Sequence, residues 1–214
     1  MIFIDCEQGS QEWHAARAGA ITASKVREAL ETLKNGQPSA KSATYAAQVA
    51  VEIVSGTPVD EGFNSWQMRR GVELEPDARM SYEARTGLLA SESGVVLTDD
   101  RRFGYSTDGL VGDNGLIEIK CLVSAEKLIA MWDTGDLSEY MHQMQTGMWI
   151  TGRQWCDFVM YAPQLAPVGK DLFLRRVPRD ERFIEKMEDG LMEFMRRVDE
   201  NVVILRRPQL AEAA

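Results

Sequence analysis

The chain has 214 residues, 44% of them hydrophobic and 27% charged, which is enough to bury a core and too apolar for a disordered chain. Thirty-three acidic residues against 24 basic ones give a net charge of −9, which argues against holding phosphate backbones by bulk electrostatics while leaving room for a local basic lining. Three cysteines (Cys6, Cys121, Cys156) with no CxxC pair exclude a disulfide framework and a four-cysteine metal site. No apolar run approaches the roughly 18 residues of a membrane span. The opening MIFIDCEQGSQEW has no basic n-region, so the expectation is a soluble protein of a reducing cytosol. No repeat or linker interrupts residues 1–214, which predicts a single domain.

In chain order, SQEWHAARAGAITASKVREALETL predicts two helices around a short break. Ser10 can cap the first, which ends at Ala18-Gly19; the second opens near residues 22–24 and runs to Leu33. Lys34-Asn35-Gly36-Gln37-Pro38 is a loop. Residues 42–55 form a helix that stops at Gly56, and residues 66–87 are helical in period with Pro76 inside, so that helix starts at the proline or kinks there. A strand covers residues 94–97. In FGYSTDGLVGDNGLIEIKCL two strand-like runs flank Gly112-Asp113-Asn114-Gly115, a hairpin turn by composition. Residues 125–132 and 140–151 read as helices, 155–161 and 171–177 as strands, and 182–198 as a long amphipathic helix. The order predicts an α/β (α+β) fold with a central mixed sheet flanked by helices.

Period-two alternation in LIEIKC puts Glu118 and Lys120 on one face and Ile117, Ile119 and Cys121 on the other. A turn centred between Asp113 and Asn114 brings Asp108 opposite residues near 119. Two carboxylates and a lysine are thereby gathered at one spot. Close carboxylates repel unless a cation lies between them, and Mg²⁺ accepts such an oxygen-rich site. A lysine beside it can orient a water, or act on it when partly neutral, which would favour alkaline pH; the set suits hydrolysis of a phosphodiester. A surface hairpin with a plain cross-strand salt bridge fits the same pattern. Neither His14 nor His142 has a metal-ligand partner at suitable spacing, which argues against a histidine–metal nuclease.

Four collinear blocks add to this: WHAARAGAITASKV, RGVELEPDAR, STDGL with GLIEIKC, and YMHQMQTGMW. Together they resemble the phage lambda exonuclease group, also called YqaJ-type viral recombinases, within the PD-(D/E)xK nuclease superfamily, with Thr107 where that motif has proline. The resemblance implies a restriction-endonuclease-like core with Asp108, Glu118 and the Ile119 carbonyl as ligands of Mg²⁺, for which Mn²⁺ can substitute. It makes Lys120 the water-orienting lysine and Glu75 the helix acid completing the shell; the bland reading of Glu75 is a solvated helix acid. Arg17, Ser24, Ser106 and Gln143 match a pocket for a terminal 5′-phosphate, with Tyr140 and Gln145 in support; Ser24 also suits a helix cap and Arg17 a surface charge. Lys34 and Met68 match residues that contact the duplex and wedge its end, although Met68 also suits a core.

The activity implied is a Mg²⁺-dependent 5′→3′ exonuclease on double-stranded DNA ends, releasing mononucleotides and leaving a 3′ overhang. The resemblance also implies a homotrimeric ring, with Lys25, Lys34, Lys41, Arg69 and Arg70 among its channel residues, and a single-strand annealing protein as partner. A PD-(D/E)xK endonuclease or structure-specific nuclease, and a non-catalytic DNA-end-binding module, are the alternatives.

Overall fold

The computed structural model describes residues 1–59 and 66–208, with the side chains of Gln67 and Met68 outside the described set. The N-terminal part comprises β1 (Ile2–Ile4), α1 (Gln11–Arg17), β2 (Ile21–Thr22), a 3₁₀ turn (Ala23–Lys25), α2 (Val26–Ala29), α3 (Ala40–Ser55) and α4 (Trp66–Thr86). Five strands follow: β3 (Ala90–Ser91), β4 (Val95–Leu97), β5 (Phe103–Ser106), β6 (Gly109–Val111) and β7 (Gly115–Lys120). The chain ends with α5 (Ala125–Thr134), α6 (Met141–Thr151), β8 (Trp155–Tyr161), a second 3₁₀ segment (Pro163–Val168), β9 (Leu172–Pro178) and α7 (Glu181–Leu205). Among the described residues no helix is long and apolar enough to cross a membrane.

The strands build two mixed sheets, in the orders β1-β4-β5-β2 and β3-β6-β7-β8-β9. Sequence pattern points to one sheet, because β5 and β6 read as one continuous run. The chain instead steps from the first sheet to the second at Thr107-Asp108. Thr107 is buried, and its hydroxyl accepts from the Gly109 N–H at 3.1 Å and donates to the Gly109 carbonyl at 2.9 Å. That local turn fastens the step where the superfamily motif has proline.

Parallel pairing of β7 with β8 requires a crossover, and α5 and α6 supply it. The main core lies between the sheets and the helices on one side, where α7 buries Ile184, Met187, Leu191, Phe194, Val198 and Val202, a spacing of three and four that defines one helical face. A smaller core on the other face of the second sheet joins Ala78 and Tyr82 of α4 to Ile117, Ile119 and Val159.

Several expectations are corrected. The helix expected to reach Leu33 is preceded by β2 and stops at Ala29. The Ala29 carbonyl accepts from Ser42 Oγ at 2.6 Å, the Glu31 carbonyl from the Ser39 N–H at 2.9 Å, and the Leu33 N–H donates to the Gln37 carbonyl at 2.7 Å. Cross-loop bonds thus replace helical ones, with Gly36 turning the chain at φ +80°. The helix does not start at Pro76, since α4 runs through it from Trp66 to Thr86. Two-residue β3 and three-residue β1 carry too short a pattern to register in sequence.

Candidate active site

The register of the β6–β7 hairpin sets the site. Gly109 pairs with Ile117 and Val111 with Gly115, so the loop is three residues, 112–114, and Asp108 falls opposite Glu118 rather than residue 119. Its carboxylate reaches Ile119 all the same, with Oδ2 accepting from the Ile119 N–H at 2.6 Å. In an extended strand a residue's N–H and C=O point to the same side, so the Ile119 carbonyl is directed toward Asp108.

Glu118 and Lys120 share the sheet face of Leu116 and the main core, while Ile117 and Ile119 lie under α4. Lys120 Nζ donates to Glu118 Oε1 at 2.6 Å and to Gln143 Oε1 at 3.3 Å. Glu118 is fully buried, so this pair is no surface salt bridge. Glu118 Oε2 is buried with no hydrogen-bond partner among the described residues.

Glu75 approaches from α4. Arg79, one turn on, donates to Glu75 Oε1 at 3.1 Å and also holds Glu92. Burial, reinforced by Asp108, raises the pKa of Glu75 against the opposing pull of Arg79. Burial likewise raises Glu118, with Lys120 opposing and Asp108 reinforcing, and it raises Asp108 against Lys120, the Ile119 N–H and Arg79. For Lys120, burial alone would lower the pKa, but Glu118 and Asp108 outweigh it and hold the ammonium above its ordinary value. The neighbouring acids thus favour the ammonium form of Lys120 in the metal-free fold. Burial together with Glu75 and Asp108 pushes the Cys121 thiol up to about 11. Among the described residues no three His, Cys, Asp or Glu side chains gather closely enough to enclose an ion by themselves.

A second group of residues adjoins this one. The 3₁₀ turn carrying Ser24 packs against both β5 and α6, the elements that carry Ser106 and Gln143. Ser24 is exposed and caps neither neighbouring helical segment. Ser106 Oγ is buried without a partner. Arg17 stacks its guanidinium 3.7 Å from the Trp13 ring centroid, and burial lowers its pKa to about 10 against the raising pull of Tyr45 and Glu52. It remains a cation at neutral pH.

Tyr140 packs its ring 4.8 Å from Phe158 with Lys120 Nζ 5.9 Å from its centroid, so Tyr140 and Gln143 both meet Lys120. Gln145 does not join them. Its amide donates to the Pro178 carbonyl at 2.9 Å and accepts from the Asp180 N–H at 3.0 Å, because two residues along a helix point to different faces. Lys34 is exposed on the 33–37 loop. The expected wedge, Met68, has its side chain outside the described residues.

Sequence reasoning missed Arg79, whose spacing of four from Glu75 is a helix-pair signal, and a buried Asp157–Tyr82 pair capped by the exposed Arg176, signalled by a lone acid in the apolar run WCDFVMY.

The YqaJ-like viral recombinase domain matches residues 12–154. The structure is similar to that of an alkaline exonuclease, LHK-Exo, from Laribacter hongkongensis, at 38% identity over 92% of this chain and 97% of that one, with a TM-score of 0.81. The LHK-Exo complex with dAMP matches over the same shares at a TM-score of 0.82. A phage-related exonuclease from Haemophilus somnus 129PT, 16% identical over 87% of this chain and 96% of that one, has a TM-score of 0.64 and shares the fold. No curated protein matches the chain.

Proposed function

Since the chain belongs to the YqaJ-like viral recombinase family, we propose that it is a Mg²⁺-dependent 5′→3′ exonuclease. Its substrate would be the end of double-stranded DNA, one strand being digested to mononucleotides and a 3′ overhang left behind. The observation that carries this reading is the convergence of Asp108, Glu118 and Lys120 at the step between the two sheets, with bonds of 2.6 Å from Ile119 to Asp108 and from Lys120 to Glu118.

A divalent ion fits these residues. Glu118 Oε2 is a desolvated carboxylate oxygen with no partner, and the three neighbouring acids repel one another. Asp108, Glu118 and the Ile119 carbonyl would hold Mg²⁺, with Glu75 reaching it through water and Mn²⁺ able to substitute. The bound ion supplies Lewis acidity and a water of lowered pKa. Lys120, charged and fixed by Glu118 and Gln143, orients the attacking water and offsets charge building on the phosphate. Arg17, with its planar fork stacked on Trp13, receives the terminal 5′-phosphate together with Ser24, the unpartnered Ser106 hydroxyl and Gln143.

The same reading gives a homotrimeric ring around the duplex, a single-strand annealing protein that loads on the exposed strand, and a phage- or prophage-encoded protein working in the cytoplasm of a bacterial host. The test is linear duplex, labelled separately at each 5′ end, incubated with Mg²⁺ and with Asp108→Ala as control. Label released first as mononucleotide from 5′ ends is the expected result. No release overturns the enzyme, and cutting of closed circles would make it an endonuclease. A solution mass of three chains checks the ring.

A further inference from the structure

Glu75 is the one acid of the cluster that does not come from the strand segment, so whatever fixes α4 over the sheet decides where its carboxylate lies. Residues 75, 78 and 82 share one helical face, and Ala78 and Tyr82 of that face are wholly buried. Directly after Glu75 comes Pro76, which has no N–H to offer the Val72 carbonyl. The turn bearing Glu75 is therefore short of one of its own ladder bonds and depends more on anchors further along.

The anchor is polar and crosses the small core. Tyr82 donates its hydroxyl to Asp157 Oδ2 at 2.9 Å, and Arg176 grips Asp157 with Nε on Oδ1 and Nη2 on Oδ2, both at 2.8 Å. The Arg176 guanidinium lies 3.5 Å from the Trp155 ring centroid. Trp155 in turn fills the space above Gly115, where a Cβ would meet the ring at 2.1 Å. Asp157 pairs with Ile117, the residue before Glu118. An unbroken set of contacts thus runs from the catalytic strand, through Trp155, Arg176 and Asp157, to Tyr82 on the helix of Glu75.

We propose that Asp157 and Tyr82 are positioning residues that hold α4 so that Glu75 lies beside Asp108; the inference rests on the assignment of Glu75 to the metal site. Asp157 itself faces α4 across the sheet from Glu118 and does not touch the reacting groups. Tyr82→Phe removes the hydroxyl while leaving Asp157 paired to Arg176, so the fold is kept.

The experiment is a double-mutant cycle of Tyr82→Phe with Glu75→Gln, with Asp157→Asn as a second variant of similar shape. Tyr82→Phe is expected to lower kcat about tenfold, to leave KM for duplex ends within about twofold, and to weaken Mn²⁺ binding in a spin-resonance titration about tenfold. In the Glu75→Gln background it adds nothing further. On metal-free protein, amide hydrogen exchange rises across residues 71–80 and nowhere in β7. Asp157→Asn gives the same pattern. An equal further loss in the Glu75→Gln background, or unchanged exchange across residues 71–80, overturns the positioning role alone. Full activity and full Mn²⁺ affinity in Glu75→Gln overturns the assignment of Glu75 and the positioning role with it.

Discussion

Glu118 on β7 and Asp157 on β8 are buried acids on neighbouring strands, one pairing step apart and on opposite faces of the same sheet. Asp157 has three donors for its two oxygens: the Tyr82 hydroxyl and two nitrogens of Arg176. Glu118 has Lys120 on one oxygen and, among the described residues, no hydrogen-bond partner on the other. Similar burial with opposite satisfaction is the difference expected between a group that holds the fold and one that binds a ligand. The shortage extends around Glu118. Ser106 Oγ, His142 Nδ1 and Arg79 Nε are also buried without partners among the described residues, on or beside the elements that form the site. A polar atom left unmatched in the fold is one that a ligand can match on binding.

The largest expected effects test the site half of this contrast. Asp108→Ala and Lys120→Ala should each reduce mononucleotide release by at least about a thousandfold; Asp108→Ala also relieves acid–acid repulsion, so thermal unfolding of its metal-free form should change by under about 1 kcal/mol. A loss of stability as great as the loss of activity would show that these groups hold the fold. Asp157→Ala tests the other half. It strands the buried Tyr82 hydroxyl and leaves a cavity, while the exposed Arg176 turns to solvent, and should destabilise by about 1–3 kcal/mol, roughly a 3–10 °C fall in Tm for a chain of this size.

Glu118→Gln joins the two halves. It keeps the shape and removes a desolvated charge, so metal-free Tm should stay within about 3 °C of the parent. The rise in Tm on adding Mg²⁺, expected of the parent because an ion that binds only the folded state stabilises it, should vanish. If Glu118→Gln is as destabilising as Asp157→Ala, the two acids are equivalent and the contrast fails.

Much of the site was legible in sequence because it depends on local geometry. Period-two alternation put Glu118 and Lys120 together, and the Gly112–Gly115 turn brought Asp108 near them with an error of one residue in register. That error came from counting a four-residue turn; Gly115 belongs to the strand, because without a Cβ it can lie beneath Trp155. What stayed hidden depends on long-range packing. The division into two sheets is decided at Thr107, by a hydroxyl turn inside an otherwise continuous strand-like run. The premature end of α2 is decided by Ser42 and Arg197 reaching the Ala29 carbonyl from α3 and α7. The sign of the Lys120 shift likewise needs the burial of Glu118 and Asp108, which no spacing reveals.

A milder effect is expected at the proposed phosphate-binding end. Arg17→Ala should abolish the preference for 5′-phosphorylated over 5′-hydroxyl ends, measured as a rate ratio, while leaving metal-dependent Tm shifts intact. Arg17→Lys should restore part of that preference, since it returns the charge without the planar fork that stacks on Trp13. If the ratio is unchanged in Arg17→Ala, the unsatisfied groups around Ser106 and Gln143 serve something other than the strand terminus.

The smallest effect concerns His142, whose imidazole packs edge-on to Phe183 with Nδ1 unpartnered. Burial first, and then the Arg27 cation on α2, push its pKa below the ordinary value of about 6.5. The folded state therefore resists protonation that the unfolded chain accepts. Its contribution is fully present above pH 6.5 and is lost as pH falls from there through the depressed folded value. The group is part-exposed, so the change should stay under about 1 kcal/mol. Denaturant midpoints measured between pH 5 and 8 should fall on the acid side in the parent and fall less in His142→Gln, where the amide cannot titrate. Parallel curves for the two proteins would mean that His142 finds a proton acceptor in the fold, and that it belongs with Asp157 rather than with Glu118.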